Sequence, residues 1–582
     1  MKNTVIRGKI VNFKELMKWE KIKMIPILLF IGIMPLVVRL KIVHLPNVEE
    51  VWLPTPLVYS DLFNYYKARL IFLSAVLAII MCIVGWVLGK VEYKIERLDY
   101  AAFIFISVVL ISSLLTNHKN IVFWGYAERW HGLATWLSYF IMYLYVRLNI
   151  KTSDDIKNVL RIILGFGIIM ASIGTMQFVG ADPFRLDFIK MLILPRNLLD
   201  QFGLESLAFT FEKNRVYMTL YNPNNVGLYV AAILPICFKG FSLEDKRIMK
   251  ALWIGFAILL LVSLVGSYSR TGIVVSFISF ILFGLWNLNV IAKYSKQIIV
   301  LLITLSLILL VGNSLSGNVL ANRLLDSFSS HELYTEVDDI RLSDNGLEVQ
   351  YNGSMIKFDL NDVTGLCDVL SENDEQVITR QDENGYFQFE KSEYSGLSYG
   401  YGTLNEGEYY IIIKAQNKDW KFTMDPEGFK FINDYGKFSS LVQAESMFFD
   451  GKERLGSNRG YIWSRSLPLA KRNLLIGNGP DSYTFEFPQK DYITLMNVFG
   501  DTQEVVDKPH NQYIGLLIEF GILGLSAFIT WVGLCLWKGR KNIMSVGLLS
   551  ILLSFVFYDI AVSTGWILIV CMGMLANEEV IE

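Results

Sequence analysis

Apolar runs recur along the chain and leave few folds open to it. They lie at about Met24–Val38, Leu70–Leu88, Ala101–Leu115, Leu133–Val146, Val159–Val179, Val226–Phe238, Ala251–Val265, Gly272–Trp286, Ile298–Val311, Ile514–Trp537, Met544–Phe557 and Ala561–Met574. The longer ones reach the roughly 17–25 residues that an α-helix needs to cross a bilayer. Charged residues make up 19% of the 582, below the roughly 25% of soluble proteins, and the deficit is concentrated in these runs. The expectation is a mainly α-helical polytopic membrane protein of about twelve transmembrane helices.

Lysine and arginine in the loops set the orientation. The lysine-rich N-terminus, Lys90/Lys94/Arg97, Arg147/Lys151/Lys157, Lys239/Lys246/Arg247/Lys250, Lys293/Lys296 and Lys538/Arg540/Lys541 occupy every second loop. Both termini are then expected in the cytoplasm of a plasma-membrane protein. Met1–Lys23 is too long and polar for a cleaved signal peptide. Arg196, Arg215 and Arg270 fall in outward loops, against the charge rule, which suggests another reason for them.

The division expected is 1–312 with spans one to nine, 313–510 as one large extracytoplasmic segment, and 511–582 with spans ten to twelve. Inside the large segment Leu347–Tyr351 and Met355–Leu360 alternate around Asn352-Gly353, a hairpin signal. Tyr386–Phe389, Glu408–Ile413 and Trp420–Thr423 read as further strands. A β-rich domain is therefore expected over 331–438, followed over 439–510 by a helical part, with an amphipathic helix running to Leu475 and stopped by Gly477-Asn478-Gly479-Pro480. Of the five cysteines only Cys367 lies in this segment, so it holds no internal disulfide. No cysteine or histidine spacing resembles a metal site, and no basic patch points to nucleic acid.

Polar residues gather at the outward ends of the apolar runs. Arg215 precedes Asn222-Pro223-Asn224-Asn225, which supplies a turn, a helix cap and amides at a span's mouth. Read blandly, this is a capped helix with a snorkelling arginine. Ser269-Arg270-Thr271-Gly272 joins two runs with almost no loop and holds a guanidinium, a planar fork suited to phosphate oxygens, near the hydrocarbon edge; a lipid headgroup contact is the plainer alternative. Arg129, Arg459 and Arg465 lie on the same side, where ordinary ion pairing would account for them. His510 follows Pro509 and precedes Asn511, a candidate cap for the helix beyond. An imidazole is able to take a proton near neutral pH. Glu519, two turns into that helix, needs a partner or a cavity.

Arg215 through Asn224, the Ser269–Gly272 turn, Arg459 with Ile462-Trp463, Leu474 to Pro480, and His510-Asn511-Gln512-Tyr513 with Glu519-Phe520-Gly521 and Gly524 together resemble the O-antigen ligase and O-antigen polymerase superfamily. The resemblance implies a glycosyltransferase-C-like membrane fold with a large outward loop near the C-terminal end. It implies glycan transfer from an undecaprenyl-pyrophosphate carrier to a lipid, protein or glycan acceptor at the outer face of the cytoplasmic membrane. The reaction is expected to invert the anomeric centre, without metal or other cofactor. Arg215, Arg270 and His510 carry over as catalytic residues; Arg459, Asn222, Asn224, Ser269, Arg129 and Glu519 are candidates for holding pyrophosphate or glycan. The β-rich insert departs from the family core.

A ligase is the reading preferred, with a polymerase of lipid-linked repeat units as the alternative. A transporter or flippase is less consistent, since such proteins place ionisable groups near the bilayer midplane in repeated halves. A sensor led by the β-domain would need a cytoplasmic output domain, and the chain ends at Ala576–Glu582 without one.

Overall fold

The computed structural model describes residues 4–6, 9–11, 19–45, 57–288 with breaks at 93, 210 and 213, isolated positions between 295 and 310, and 337–577 with breaks at 343–345, 362, 404–408, 416–417 and 426–427. The apolar run expected at Ile298–Val311 falls largely outside the described residues. The others coincide with helical segments. Six are long and apolar enough to cross a membrane: Tyr65–Val87, Arg97–Leu115, Ser153–Phe178, Pro223–Leu243, Arg247–Ser267 and Gln512–Lys538. Arg270–Trp286, Met544–Ser554 and Gly565–Leu575 are shorter apolar helices. Leu133–Asn149 joins them in one core.

These helices begin where side chains satisfy their bare first amides. Thr152 and Asp155 form a reciprocal capping box ahead of Ser153–Phe178. Asn222 accepts from the Asn224 amide at 2.8 Å and Pro223 opens Pro223–Leu243. Ser269 caps Arg270–Trp286 through the Gly272 amide at 3.2 Å. Apolar side chains cover the outside of the bundle as well: Trp86 is 71% and Leu114 75% exposed, surface that suits lipid and not water.

The β-rich region is two antiparallel meanders. Asp339–Leu342, Gly346–Tyr351, Ser354–Leu360 and Cys367–Ser371 form a four-stranded sheet. Seven strands from Thr379–Gln381 to Phe438–Ser439 form the other in sequence order. The Asn352-Gly353 turn is a two-residue hairpin with Tyr351 opposite Ser354, both turn residues at positive φ. One core, including Tyr351, Phe358, Trp420, Phe422 and Phe431, lies between the sheets. Tyr492 and Met496 of the Tyr492–Phe499 helix pack into it, and the Asn497 side chain donates to the Val337 carbonyl at 2.8 Å. The strands therefore rest on the helical part of the same segment.

That helical part differs from expectation. No helix occupies 440–450. Gly456, Ser457 and Asn458 are left-handed, so regular helix runs only from Arg459 to Ser466, tightens to 3₁₀ over Leu467–Lys471, and ends before Leu474. The reason lies in the Gln512–Lys538 helix, which breaks at Gly521 (φ 66°, ψ −172°). Chain from Leu474 to Gly479 runs into the break. The Asn478 and Gly479 amides donate to the Ile518 and Glu519 carbonyls, each at 2.9 Å, and the Ile522 and Leu523 amides donate back to Leu474 and Leu475 at 2.8 and 3.2 Å. Carbonyls used this way cannot continue a helix of their own.

Gly477 (φ +69°) faces the Glu519–Phe520 backbone and Gly521 faces Leu475–Ile476, both too closely for a Cβ. Gly477→Ala is therefore expected to lose at least the 1–2 kcal/mol of left-handed strain, plus whatever separation of the two backbones the methyl forces. Thermal unfolding in detergent, compared with the exposed-site control Gly500→Ala, reads the difference.

Candidate functional site

The inserted segment at 474–479 carries Gly479-Pro480-Asp481 to the loop at 119–131. Asp481 accepts from the Tyr126 and His131 amides at 2.7 and 3.1 Å, and its other oxygen meets Arg129 Nε at 2.8 Å. The same guanidinium pairs with Glu519 at 2.9 Å and donates to the Asp507 carbonyl at 3.2 Å. All three side chains are buried. Burial opposes charge on Arg129, but Asp481 and then Glu519 outweigh it and hold the guanidinium above its ordinary range. Gly125 sits where a Cβ would strike the Asp481 carboxylate. Arg129 and Glu519, candidates for holding substrate by sequence, thus pair with each other: the guanidinium is enclosed by protein acceptors and acts as a brace.

The helix start is fixed from three sides. Asn511 accepts from the Tyr513 and Ile514 amides at 3.0 and 3.1 Å, which is the cap the sequence suggested. The Gln512 amide donates to the Phe555 and Tyr558 carbonyls, and its side-chain oxygen accepts from the Ile560 amide at 2.7 Å. The Asn511 side chain donates to the Val556 carbonyl at 3.1 Å. The turn between Met544–Ser554 and Gly565–Leu575 is thereby clamped beside residue 510. On the other flank the Pro509 carbonyl accepts from the Trp463 indole at 2.9 Å. His510 itself has φ +50°, a left-handed conformation uncommon outside glycine.

These contacts enclose a cavity of about 70 Å³. His510, Asp559 and Tyr558 line one side, and Lys508, Glu128 and Arg129 another. Asn222, Asn224 and Asn225 close it from the start of Pro223–Leu243, with Asn64, His131 and Tyr221 beyond. The volume admits a reacting group and a few waters, not a whole saccharide. Lys508 Nζ meets Asp507 at 2.9 Å and Glu128 at 3.3 Å. Burial and then Lys508 push His510 down to about 3, so the imidazole is neutral. Burial likewise lowers His131 to about 3, helped by Arg129. Burial raises Asp559 to about 6 against the pull of Arg129 and Lys508. His131 Nε2 and Asp559 Oδ2 are buried without a hydrogen-bond partner among the described residues.

The other sequence candidates are placed as follows. Arg459 does not line the cavity; its guanidinium lies 5.8 Å from the ring centroid of Tyr558, which does, and burial lowers its pKa. Ser269 is spent as a helix cap. Arg215 and Arg270 do not line the cavity. Both belong to the same end of the bundle: the Val216 amide donates to Gly266 at 2.9 Å, and Gly227, one turn from Asn224, abuts Ser269 and Gly272. Arg215 Nη1 lies 3.8 Å from Glu212. Arg465 pairs with Asp491 and Glu453 away from the site. Asp559, Asp481, Lys508 and Glu128 were not singled out by sequence. For Asp559 the signal was present, as a lone carboxylate in a short turn between two apolar runs. Among the described residues no group of three His, Cys, Asp or Glu side chains is arranged to hold a metal.

Replacing Arg129 by Met would strand the Asp481 and Glu519 carboxylates in the interior. The expected loss is about 3–5 kcal/mol of stability, measured as thermal unfolding in detergent, with Arg129→Lys losing less.

Residues 423–529 match a family model described as O-antigen ligase. The match runs from the last strands of the β-rich region through the inserted segment at 474–479, His510 and the helix break. It supports the O-antigen ligase and polymerase superfamily that the sequence motifs resemble. Comparison with curated proteins found no match, and neither did comparison with solved structures.

Proposed function

We propose that this multi-pass membrane protein of the O-antigen ligase and polymerase superfamily is a glycosyltransferase. It moves a saccharide from undecaprenyl pyrophosphate to a cell-surface acceptor, at the outer face of the cytoplasmic membrane. The observation that carries this reading is the convergence of His510, Asp559, Lys508 and the Asn222–Asn225 helix start on one small cavity, within and beside the matched region. The large segment then lies outside, both termini lie in the cytoplasm, and about twelve spans cross the membrane.

The acceptor hydroxyl gives its proton to the neutral His510 imidazole as its oxygen attacks C1 of the donor sugar. The C1–O bond breaks, and its electron pair stays on the pyrophosphate. Attack from the face opposite the leaving group inverts C1. Asp559, which lines the same cavity as His510, stabilises the imidazolium formed, as a carboxylate does for a general base. Arg215, Arg270 and Arg459 supply charge to the pyrophosphate, without metal. Lys508 is held by Glu128 and Asp507 and keeps His510 neutral until the proton arrives.

His510→Ala is expected to slow transfer by about 10²–10⁴-fold, the contribution of a positioned base, with protein level and membrane insertion unchanged. Arg270→Ala is expected to abolish it. The assay uses purified protein with undecaprenyl-pyrophosphate oligosaccharide, and full activity in either variant would sink the assignment. Label on a distinct acceptor indicates a ligase. Longer chains on the lipid indicate the alternative, a polymerase of lipid-linked repeat units.

The pH profile follows from Asp559. Its carboxyl ionises near pH 6, so transfer should fall as pH drops through about 6, where the charge beside His510 is lost. His510, already neutral above about 3, contributes no limb there. Asp559→Asn should lower kcat and erase the acid limb together; persistence of the limb in that variant assigns it elsewhere.

A further inference from the structure

The cavity at His510 is too small for a sugar chain, yet a second and larger hollow opens beside it. This groove has a volume of about 390 Å³, within the range of small-molecule sites. It lies between the strand pair Lys41–His44 and Val58–Asp61 and the segment at 204–211. Asn64 and Tyr221 line both hollows. The junction is ordered by Glu128: its carboxylate stands near the Tyr59 and Tyr221 phenols and, after burial, pushes both up, and the Asn64 amide donates to its backbone carbonyl at 2.8 Å.

We propose that this groove is a saccharide subsite, in which a sugar ring next to the reacting unit stacks on Phe209, Phe211 and Tyr59 and hydrogen-bonds Asn64. The inference rests on the transferase reading above. A sugar ring offers an apolar C–H face and a rim of hydroxyls. The groove offers aromatic faces with Ser60 and Asn64 among them. Asn64 is 8% exposed, and its Oδ1 has no hydrogen-bond partner among the described residues, an acceptor placed for a sugar hydroxyl. Asp61 is already committed to the Asn64 and Tyr65 amides and the Trp130 indole at 2.6–3.0 Å, so it shapes the wall. The aromatic walls are backed by a rigid floor: Phe211 stacks on Tyr217 at 4.3 Å and Phe209 on Phe184 at 6.0 Å. Such rings present area with little conformational freedom to lose. A polyprenyl chain would call for aliphatic walls without these polar groups.

The sugar belongs either to the donor glycan or to the acceptor, and kinetics separates the two. Phe209→Ala, Phe211→Ala and the groove-filling Ala208→Trp are each expected to raise one KM at least tenfold with kcat within threefold, and Phe209→Tyr to restore it. A rise for the carrier-linked glycan assigns the donor; a rise for the acceptor assigns the acceptor. No rise in either KM overturns the subsite. Binding is read independently by saturation-transfer NMR on the purified protein. The probe is oligosaccharide released by mild acid from the lipid carriers of the producing cells. The wild type should mark the sugar-ring protons and Ala208→Trp should lose the signal; no signal in the wild type, or the same signal in both, overturns the subsite. Loss of the signal in Ala208→Trp, together with no transfer in any assay, would leave the groove standing and remove the transferase reading.

Discussion

The site depends on one exchange of backbone hydrogen bonds. Breaking an apolar helix at Gly521 strips amides and carbonyls of their partners, and a bare polar group away from water costs several kcal/mol. The segment at Leu474–Gly479 meets that need in both directions, and Ser112 adds a hydroxyl to the Glu519 carbonyl at 2.9 Å. Once this segment is seated, Asp481 meets the Tyr126 and His131 amides and Arg129. It fixes the loop above, Arg129 follows, and Glu519 gains its counter-ion. The mouth of the cavity is the product of that sequence of constraints.

Charge inside the cavity is therefore mostly committed before any substrate arrives. Arg129 answers to Asp481 and Glu519, and Lys508 to Asp507 and Glu128. What stays available are neutral or nearly neutral groups: an imidazole at His510, a second at His131, and a carboxyl at Asp559 that titrates near 6. A pocket of this kind handles protons well and gathers phosphate poorly. The division suits the proposed mechanism, in which arginines outside the cavity hold the leaving group and the proton is handled within.

Much of the fold was legible because it rests on local rules. Apolar runs marked the helices, Asn222 and Asn511 marked two of their starts, and Asn352-Gly353 marked a hairpin. The tertiary pairings were not legible. Arg129 and Glu519 stand 390 positions apart, and nothing in either neighbourhood names the other. The helix expected to reach Leu475 was misread for the same reason: the residues favour it, but a distant break in another helix claims their carbonyls. His510 was found by its motif. Asp559 was passed over because a turn between two spans is ordinarily just a turn, and only the clamp through Gln512 brings it beside residue 510. Arg215 and Arg270 were read together with His510, and the fold sets them at the same end without lining the same hollow.

The interrupted helix also bears on how the chain is made. Residues 474–479 leave the ribosome before 512–538, so they must wait, exposed, for a helix not yet synthesised. That helix in turn meets the membrane as two half-helices with bare ends. Neither reaches its final hydrogen bonding until the other is in position. Seating of residues 474–479 and lodging of the tenth apolar run are thus one step of biogenesis rather than two, and a defect in either should surface as the loss of both.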